Sequence, residues 1–366
     1  MQFLKFKSLL PAAALAVLCS CSTFDEEKIT LDGERISVLD GETALQPDYA
    51  PGQVKIVLPA PYTNTAWSQN GGNATHMMGH LSSDSKLKEL WESGFGEGSS
   101  KRDFLIAAPV SAHKAVFTID ADGIVNAFRL DDGRKIWKRR LKPLIKDDIS
   151  TSLKGAGLAV FDKKVYATTG FGAVFALDMV TGKKLWRYDT ELPIRIAPTA
   201  ERGVVFIQTI DNKLIALNGV DGSVLWDYKS PSEETTLVGG ASPAYSPQQD
   251  TIVAAFSNGE LRAFKASTGS PLWSDILVSR KRTNSPANIN AIKANPVIDG
   301  STVYAVGNNN ILVAIDLRSG ARIWEREIGS VNQPWVAGKF MFVLSNNYDL
   351  FAIEKATGKI VWNTQI

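Results

Sequence analysis

One pattern of about a dozen residues is written six times into this chain, and it constrains the fold more tightly than any other feature of the sequence. It is seen whole in Val174-Phe-Ala-Leu-Asp-Met-Val-Thr-Gly-Lys-Lys-Leu-Trp186, and it returns at residues 125–137, 214–226, 261–273, 312–324 and 350–362. Its fixed points are an alanine (Ala127, Ala176, Ala216, Ala263, Ala314, Ala352), a glycine six positions on (Gly133, Gly182, Gly222, Gly269, Gly320, Gly358) and a tryptophan four beyond that (Trp137, Trp186, Trp226, Trp273, Trp324, Trp362). A seventh tryptophan, Trp91, ends the fragment Leu87-Lys-Glu-Leu-Trp91 without the rest. The mean spacing is about 45 residues, a period that belongs to propellers and solenoids.

Each repeat parses as four strands. A short apolar stretch is followed by an alternating run such as Val165-Tyr-Ala-Thr or Val303-Tyr-Ala-Val. A tight turn comes next, at Asp120-Ala-Asp-Gly123, Gly170-Phe-Gly172, Asp211-Asn212, Asn258-Gly259, Asn308-Asn309 and Asn346-Asn347. Small and Asx residues at this one place suit hairpins that need positive φ. The repeat then supplies a third strand, a turn ending in glycine, and an outer strand ending in tryptophan. Four antiparallel strands per unit make a propeller blade. The expected fold is an all-β propeller with six full blades visible, seven or eight if the ring is complete. Each repeat tryptophan is expected to bury roughly 150–250 Å² between blades, about 4–6 kcal/mol gross. The alanine leaves room and the glycine permits the turn, so these positions build the fold.

The N-terminus reads as an address. Residues 1–7 carry Lys5 and Lys7 and no acid, and the apolar run from Ser8 to Leu18 is too short to span a bilayer permanently. Residues 1–20 are therefore expected to be a signal segment. Leu18-Cys19-Ser20-Cys21 resembles a bacterial lipoprotein box, which makes Cys21 the expected site of lipidation and palmitate attachment. Acyl chains anchor firmly because each buried CH₂ contributes about 0.8 kcal/mol. The Ser22 and Thr23 that follow favour retention at the outer membrane, on its periplasmic face. Residues 21–62 then read as the lipidated Cys and a flexible tether, and residues 63–366 as the propeller. With Lys5 and Lys7 removed, 40 basic residues against 38 acidic ones leave no excess charge to hold nucleic acid. Three His and two Cys offer little for a metal cage or a disulfide framework.

The spacing Ala-x-Asp-x-x-Thr-Gly-x-x-x-Trp is the docking pattern of quinoprotein-like repeats. Together with the lipoprotein box it makes the chain resemble the outer membrane protein assembly factor BamB family over about residues 62–366. Thr65-Ala-Trp67 and Gly71-Gly72-Asn73 are similar to the start of such chains. The resemblance implies an eight-bladed ring whose last blade is completed by an N-terminal strand, with Trp91 on that strand. Such a ring needs roughly another 75 residues, so the sequence is expected to be truncated after Ile366; the alternative is a smaller ring with an exposed edge.

For function, the resemblance implies a non-enzymatic scaffold of the barrel assembly machinery. It would bind the barrel-forming subunit through its periplasmic domains and, as further partners, unfolded outer membrane proteins. The family's docking loops carry Leu-x-Leu-Arg before a Gly in one blade and Asp-x-Asp before a Pro in the next. The positions matched to them here are Thr235-Thr-Leu237-Val238-Gly239 and Ala291-Ile292-Lys293 ahead of Pro296. Leu237 and Gly239 are kept, the Arg has become Val238, and the acids are lost. The expected partner contacts are Leu237, Val238, Gly239, Ala291, Ile292 and Lys293, within a loop running over residues 290–295.

Other patterns are weaker. His76-Met-Met-Gly-His80 has ligand types for copper or zinc, but that spacing converges on one face only in a helix, and this is a Gly/Asn-rich lead-in. His113 stands alone. Asp120-Ala-Asp-Gly123 lacks the distal Glu of a calcium loop and sits in a hairpin slot. Gly94-Phe-Gly-Glu-Gly98 and Gly155-Ala-Gly157 have the wrong spacing for phosphate loops. Lys138-Arg-Arg140 and Arg280-Lys-Arg282 read as solvated faces, with an acidic partner patch as the alternative. No catalytic residue, metal or cofactor is expected. The competing readings are a periplasmic quinone-dependent dehydrogenase or its relic, although a Cys pair and an acidic cluster are missing, and a propeller that binds polysaccharide.

Overall fold

Every repeat becomes one four-stranded sheet. The computed structural model describes residues 45–101, 104–144, 155–233, 237–277 and 290–366; the signal segment, Cys21, Thr235 and the basic run at residues 280–282 lie outside the described residues. All regular elements among the described residues are strands. They form six antiparallel sheets, each in simple up-and-down order, at residues 110–140, 157–189, 199–229, 244–276, 297–326 and 335–365, called blades 1 to 6 below. The expected β-propeller architecture is thus present. Inner strands are short, as in Val110–Ala112 and Thr199–Glu201, and outer strands run six residues, as in Lys184–Asp189. Apolar side chains from facing sheets make continuous cores; Phe117, Leu158, Val165 and Phe175 share one between blades 1 and 2.

The fixed residues of the repeat form one joint. Each alanine stands directly across the ladder from its own tryptophan, as in Ala176↔Trp186 and Ala314↔Trp324, and all six alanines are fully buried. The missing side-chain bulk lets the indole lean over the sheet. It lands on the glycine of the next blade: Trp91 on Gly133, Trp137 on Gly182, Trp186 on Gly222, Trp226 on Gly269, Trp273 on Gly320 and Trp324 on Gly358. A Cβ on any of these glycines would lie 2.5–2.7 Å from the ring. The same glycines have φ between +66° and +77°, a region that costs other residues about 1–2 kcal/mol. Each of these indole Nε1–H groups then donates to a carbonyl of the next blade's turn at 2.7–3.2 Å, for example Trp186 to Gly219 and Trp273 to Leu317. The Asp-x-x-Thr of the repeat builds that turn. Asp178 accepts from both the N–H (2.7 Å) and the hydroxyl (2.6 Å) of Thr181, and these bonds hold its carboxyl below the usual range.

Most hairpins turn where expected, with positive φ at Gly123, Gly172, Asn212 and Gly259, but in blades 5 and 6 the positive-φ residue comes later, at Asn310 and Tyr348. Asp120 serves its turn rather than a cation: its Oδ1 accepts from the N–H groups of Asp122 and Ile124 at 3.0 and 2.7 Å. Trp91 makes the interblade joint, yet no strand is formed around it, and Leu87 and Leu90 are exposed.

A feature outside the repeat holds the centre. Residues 66–79 run past the inner strands of all six blades and bond to each in turn. Trp67 and Ser111 exchange backbone bonds at 2.8 Å (blade 1), the Val160 N–H donates to Ser68 O at 2.7 Å (blade 2), and the Ala200 N–H donates to Gln69 Oε1 at 2.9 Å (blade 3). Tyr245 N–H bonds Ala74 O at 2.7 Å and Ile298 N–H bonds Thr75 O at 2.9 Å (blades 4 and 5). The Trp335 indole donates to Gly79 O at 3.0 Å (blade 6). His76 lies in this segment, fully buried, with Nδ1 2.7 Å from Pro296 O. Only a protonated Nδ1 can donate there, so Nε2 is the bare nitrogen, and it is buried with no acceptor beside it. Desolvation lowers the His76 pKa from 6.5 to about 4.

The expected tether ends earlier than residue 62. Gln46–Ile366 form one compact unit, and Tyr49, Val54, Ile56 and Leu58 pack on the cluster of Phe340, Ala352 and Val361 in blade 6. The reason is alternation: Val54, Ile56 and Leu58 are sheltered while Gln53, Lys55 and Val57 face solvent.

Two outcomes follow for stability. Gly222→Ala forces both a positive φ and a clash with Trp186, and should lower unfolding free energy by about 2–4 kcal/mol, read by denaturant titration. Below about pH 6.5 the unfolded chain takes up a proton at His76 that the folded chain refuses. Stability should therefore fall as pH drops toward 4, by about 3 kcal/mol at 1.36 kcal/mol per unit. His76→Gln should remove that part of the pH dependence.

Candidate functional site

The joints sit toward the outer strands, so the loops that enter the inner strands vary freely, and at one end of the central segment they converge. Loops entering blades 3, 4 and 5 bring Arg195, Val238, Gly239, Gly240 and Lys293 to a mouth of about 510 Å³, which the stacked pair Trp67 and Trp335 also lines. Gly239 has φ +86°, and a Cβ there would lie 3.8 Å from Lys293 Cε and 3.9 Å from Arg195 O. The three loops therefore meet at this glycine. Gly240 is pressed on Ile196, where a Cβ would approach Cδ1 to 2.6 Å.

A polar floor fixes the loops from beneath. Asn70 of the central segment donates to Ser242 Oγ at 3.0 Å. Asn295 Oδ1 accepts from Ser242 N–H at 2.8 Å, and its amide nitrogen donates to Gln333 Oε1 at 3.0 Å. Gln333 donates onward to His76 O at 2.9 Å. Amides from blades 4, 5 and 6 are thus tied to the central segment, which makes the mouth a preorganised surface. Its only charged lining residues among the described ones are Arg195 and Lys293, both cationic. Among the described residues no carboxylate or hydroxyl lines the mouth.

The sequence-derived contacts divide here. Val238 is exposed and, with Gly239 and Lys293, lines the mouth; Leu237 lines a cleft behind it together with Gly239 and Lys293. Ala291 and Ile292 line that same cleft but are themselves buried, and Ile292 packs with Leu277 and Ile298 in the core of blades 4 and 5. Their stretch is buried almost throughout residues 291–298 as it approaches the inner strand, with Lys293 the one partly open position. Arg195 was missed, although Leu192-Pro-Ile-Arg195 answers the Leu-x-Leu-Arg pattern better than Leu237-Val238-Gly239 does, one blade earlier. The two histidines of the His-x-x-x-His pattern part ways, His76 to Pro296 O and His80 to Pro59 O at 2.6 Å.

Comparison with known proteins agrees with this architecture. A family model described as outer membrane protein assembly factor BamB matches residues 121–364. The outer membrane protein assembly factor BamB of Yersinia pestis is 29% identical over 247 residues, 67% of this chain and 62% of that protein. The chain therefore spans about three fifths of the length of that relative. The crystal structure of BamB from Moraxella catarrhalis superposes with a TM-score of 0.62 at 18% identity, covering 71% of this chain and 75% of the other. A quinohemoprotein alcohol dehydrogenase from Comamonas testosteroni shares the fold at a TM-score of 0.53 and 16% identity, over 81% of this chain and 52% of that one.

Proposed function

The chain belongs to the outer membrane protein assembly factor BamB family, and from that membership we propose that it is a non-catalytic scaffold of outer membrane protein assembly. In this reading Cys21 carries the lipid that holds the propeller at the periplasmic face of the outer membrane. The mouth docks the barrel-forming subunit and so assists insertion of its clients. The observation that carries the docking site is the convergence of three successive interblade loops on Gly239, with Arg195 and Lys293 flanking an exposed Val238 over an amide floor. An apolar centre with cations at its rim fits a partner surface whose own rim is acidic, and a rigid platform lowers the entropy lost on binding. Quinone chemistry would need a base beside the cofactor, and no carboxylate or imidazole is among the described residues lining the mouth.

The test is co-purification of the tagged, full-length protein from gently solubilised membranes. A large barrel protein with periplasmic domains should arrive with it. The double substitution Arg195→Glu with Lys293→Glu should weaken recovery of that partner at least about thirtyfold, two unfavourable charge contacts at about 1–2 kcal/mol each totalling about 2–4 kcal/mol. Val238→Asp should weaken it further. Recovery of the propeller alone from the wild type, or unchanged recovery with the double variant, would overturn the assignment.

A further inference from the structure

Blade 6 shows how this propeller takes hold of an extended chain. Asp48 sits at the junction of blades 5 and 6. Its N–H donates to Ile360 O at 2.8 Å and its carboxylate accepts from Ile360 N–H at 2.7 Å. Arg326, two residues beyond Trp324, donates its Nε to Gly358 O at 2.6 Å and turns Nη2 to the Asp48 carboxylate at 3.2 Å. The chain then runs on with Val54, Ile56 and Leu58 inward. Under this cover Val361 is only 8% exposed, whereas its counterparts Ile136, Leu185, Leu225, Leu272 and Ile323 are 47–52% exposed.

The repeat writes this notch a second time. At the junction of blades 1 and 2, Arg139 stands two residues beyond Trp137 and donates its Nε to Gly182 O at 2.8 Å, as Arg326 does to Gly358. Lys184 pairs with Leu177 in the register of Ile360 with Ile353, so it turns its N–H and C=O outward at the same place. Leu185 stands where Val361 stands. At the other junctions the arginine is replaced by Tyr188, Tyr228 or Asp275, and Asp275 is already bonded by Arg322 at 2.6 and 2.7 Å. Lys183 and Lys184 lie beside the second notch and are exposed, and Arg139 is the residue of the basic run 138–140 that turns toward it.

We propose that the Arg139–Leu185 notch binds an extended segment of an unfolded outer-membrane β-barrel polypeptide, with an acidic residue on Arg139 and the Lys184 backbone and alternate apolar side chains over Leu185. Two observations select that partner. The occupant of the equivalent notch is an acid followed by alternating apolar residues, and that alternation is the signature of membrane barrel strands. An outward-facing strand edge pairs with such a segment without needing a particular sequence. The proposal rests on the assembly role argued above and specifies its client contact.

The experiment uses the full chain and two fluorescently labelled probes: a synthetic peptide with the sequence of residues 46–60, and a transmembrane strand peptide of an outer-membrane barrel. Both should bind saturably, and Arg139→Glu and Leu185→Asp should each weaken binding at least tenfold with the melting curve preserved. A barrel-strand peptide with its apolar positions changed to Ser should bind at least tenfold more weakly. Arg139→Glu should leave recovery of the barrel subunit unchanged, so failure here is distinct from failure of the docking mouth. Equal binding by the Arg139 and Leu185 variants would overturn the proposal, as would binding of the 46–60 peptide alone. Arg139-dependent oligomers without peptide binding would make a second copy the occupant and overturn the client assignment.

Discussion

The contact on which the rest depends is an indole lying on a glycine. Because Trp186 covers Gly222 and bonds Gly219 O beyond it, the third and fourth strands of one blade determine where the turn of the next must be. Alanine opposite the tryptophan, glycine under it and Asp-x-x-Thr around it are all conditions for that one seat. Repeat arrays held by a single kind of joint are close to additive in their interfaces. A substitution at one joint is then felt mainly by the two blades that share it, and the loops at the far ends of the strands carry none of the load.

The centre obeys a different rule. Residues 66–79 carry no copy of the repeat, yet they reach every inner strand, mostly through backbone groups. Three-residue inner strands leave N–H and C=O groups facing the axis, and burying those groups unpaired would cost about 1–3 kcal/mol each. A non-repeating segment can pair with them at six different angles because it need satisfy no symmetry. The same segment supplies Asn70 and the His76 carbonyl to the amide floor, so what closes the axis also stiffens the mouth.

This division explains what could be read from residues alone. Alanine, glycine and tryptophan at fixed intervals announce six blades, since each has a side chain whose size is dictated by the joint. Alternation announces the strands. The axial role of residues 66–79 leaves little trace, because main-chain bonds do not select side chains; Gly71, Gly72 and Asn73 mark only a turn. The place where the loops meet at the mouth is hidden in the sequence for a related reason. Leu192-Pro-Ile-Arg195 and Thr235-Thr-Leu237-Val238-Gly239 both precede an inner strand, and only the meeting of Arg195, Gly239 and Lys293 in space distinguishes the mouth from its approaches. Ala291 and Ile292 were counted as surface because a loop and a strand entry look alike until their burial is seen. The tether was drawn too long because Val54, Ile56 and Leu58 are too few to look like a strand without a sheet to lie on.

What the joint leaves unspecified is where function can enter. The residue two places beyond each repeat tryptophan is Arg139, Tyr188, Tyr228, Asp275, Arg326 or Thr364. None of these is required by the seat of the indole on its glycine. Where arginine stands there it reaches over the joint to the glycine carbonyl of the next blade and brings the rest of its guanidinium to the outer edge, beside a strand residue whose backbone faces outward. Where Asp275 stands, Arg322 of the next blade bonds it and the edge is closed by the protein's own charges. One repeat can thus make a structural joint at every junction and a place for an extended chain at only some of them, with the difference residing in a single side chain.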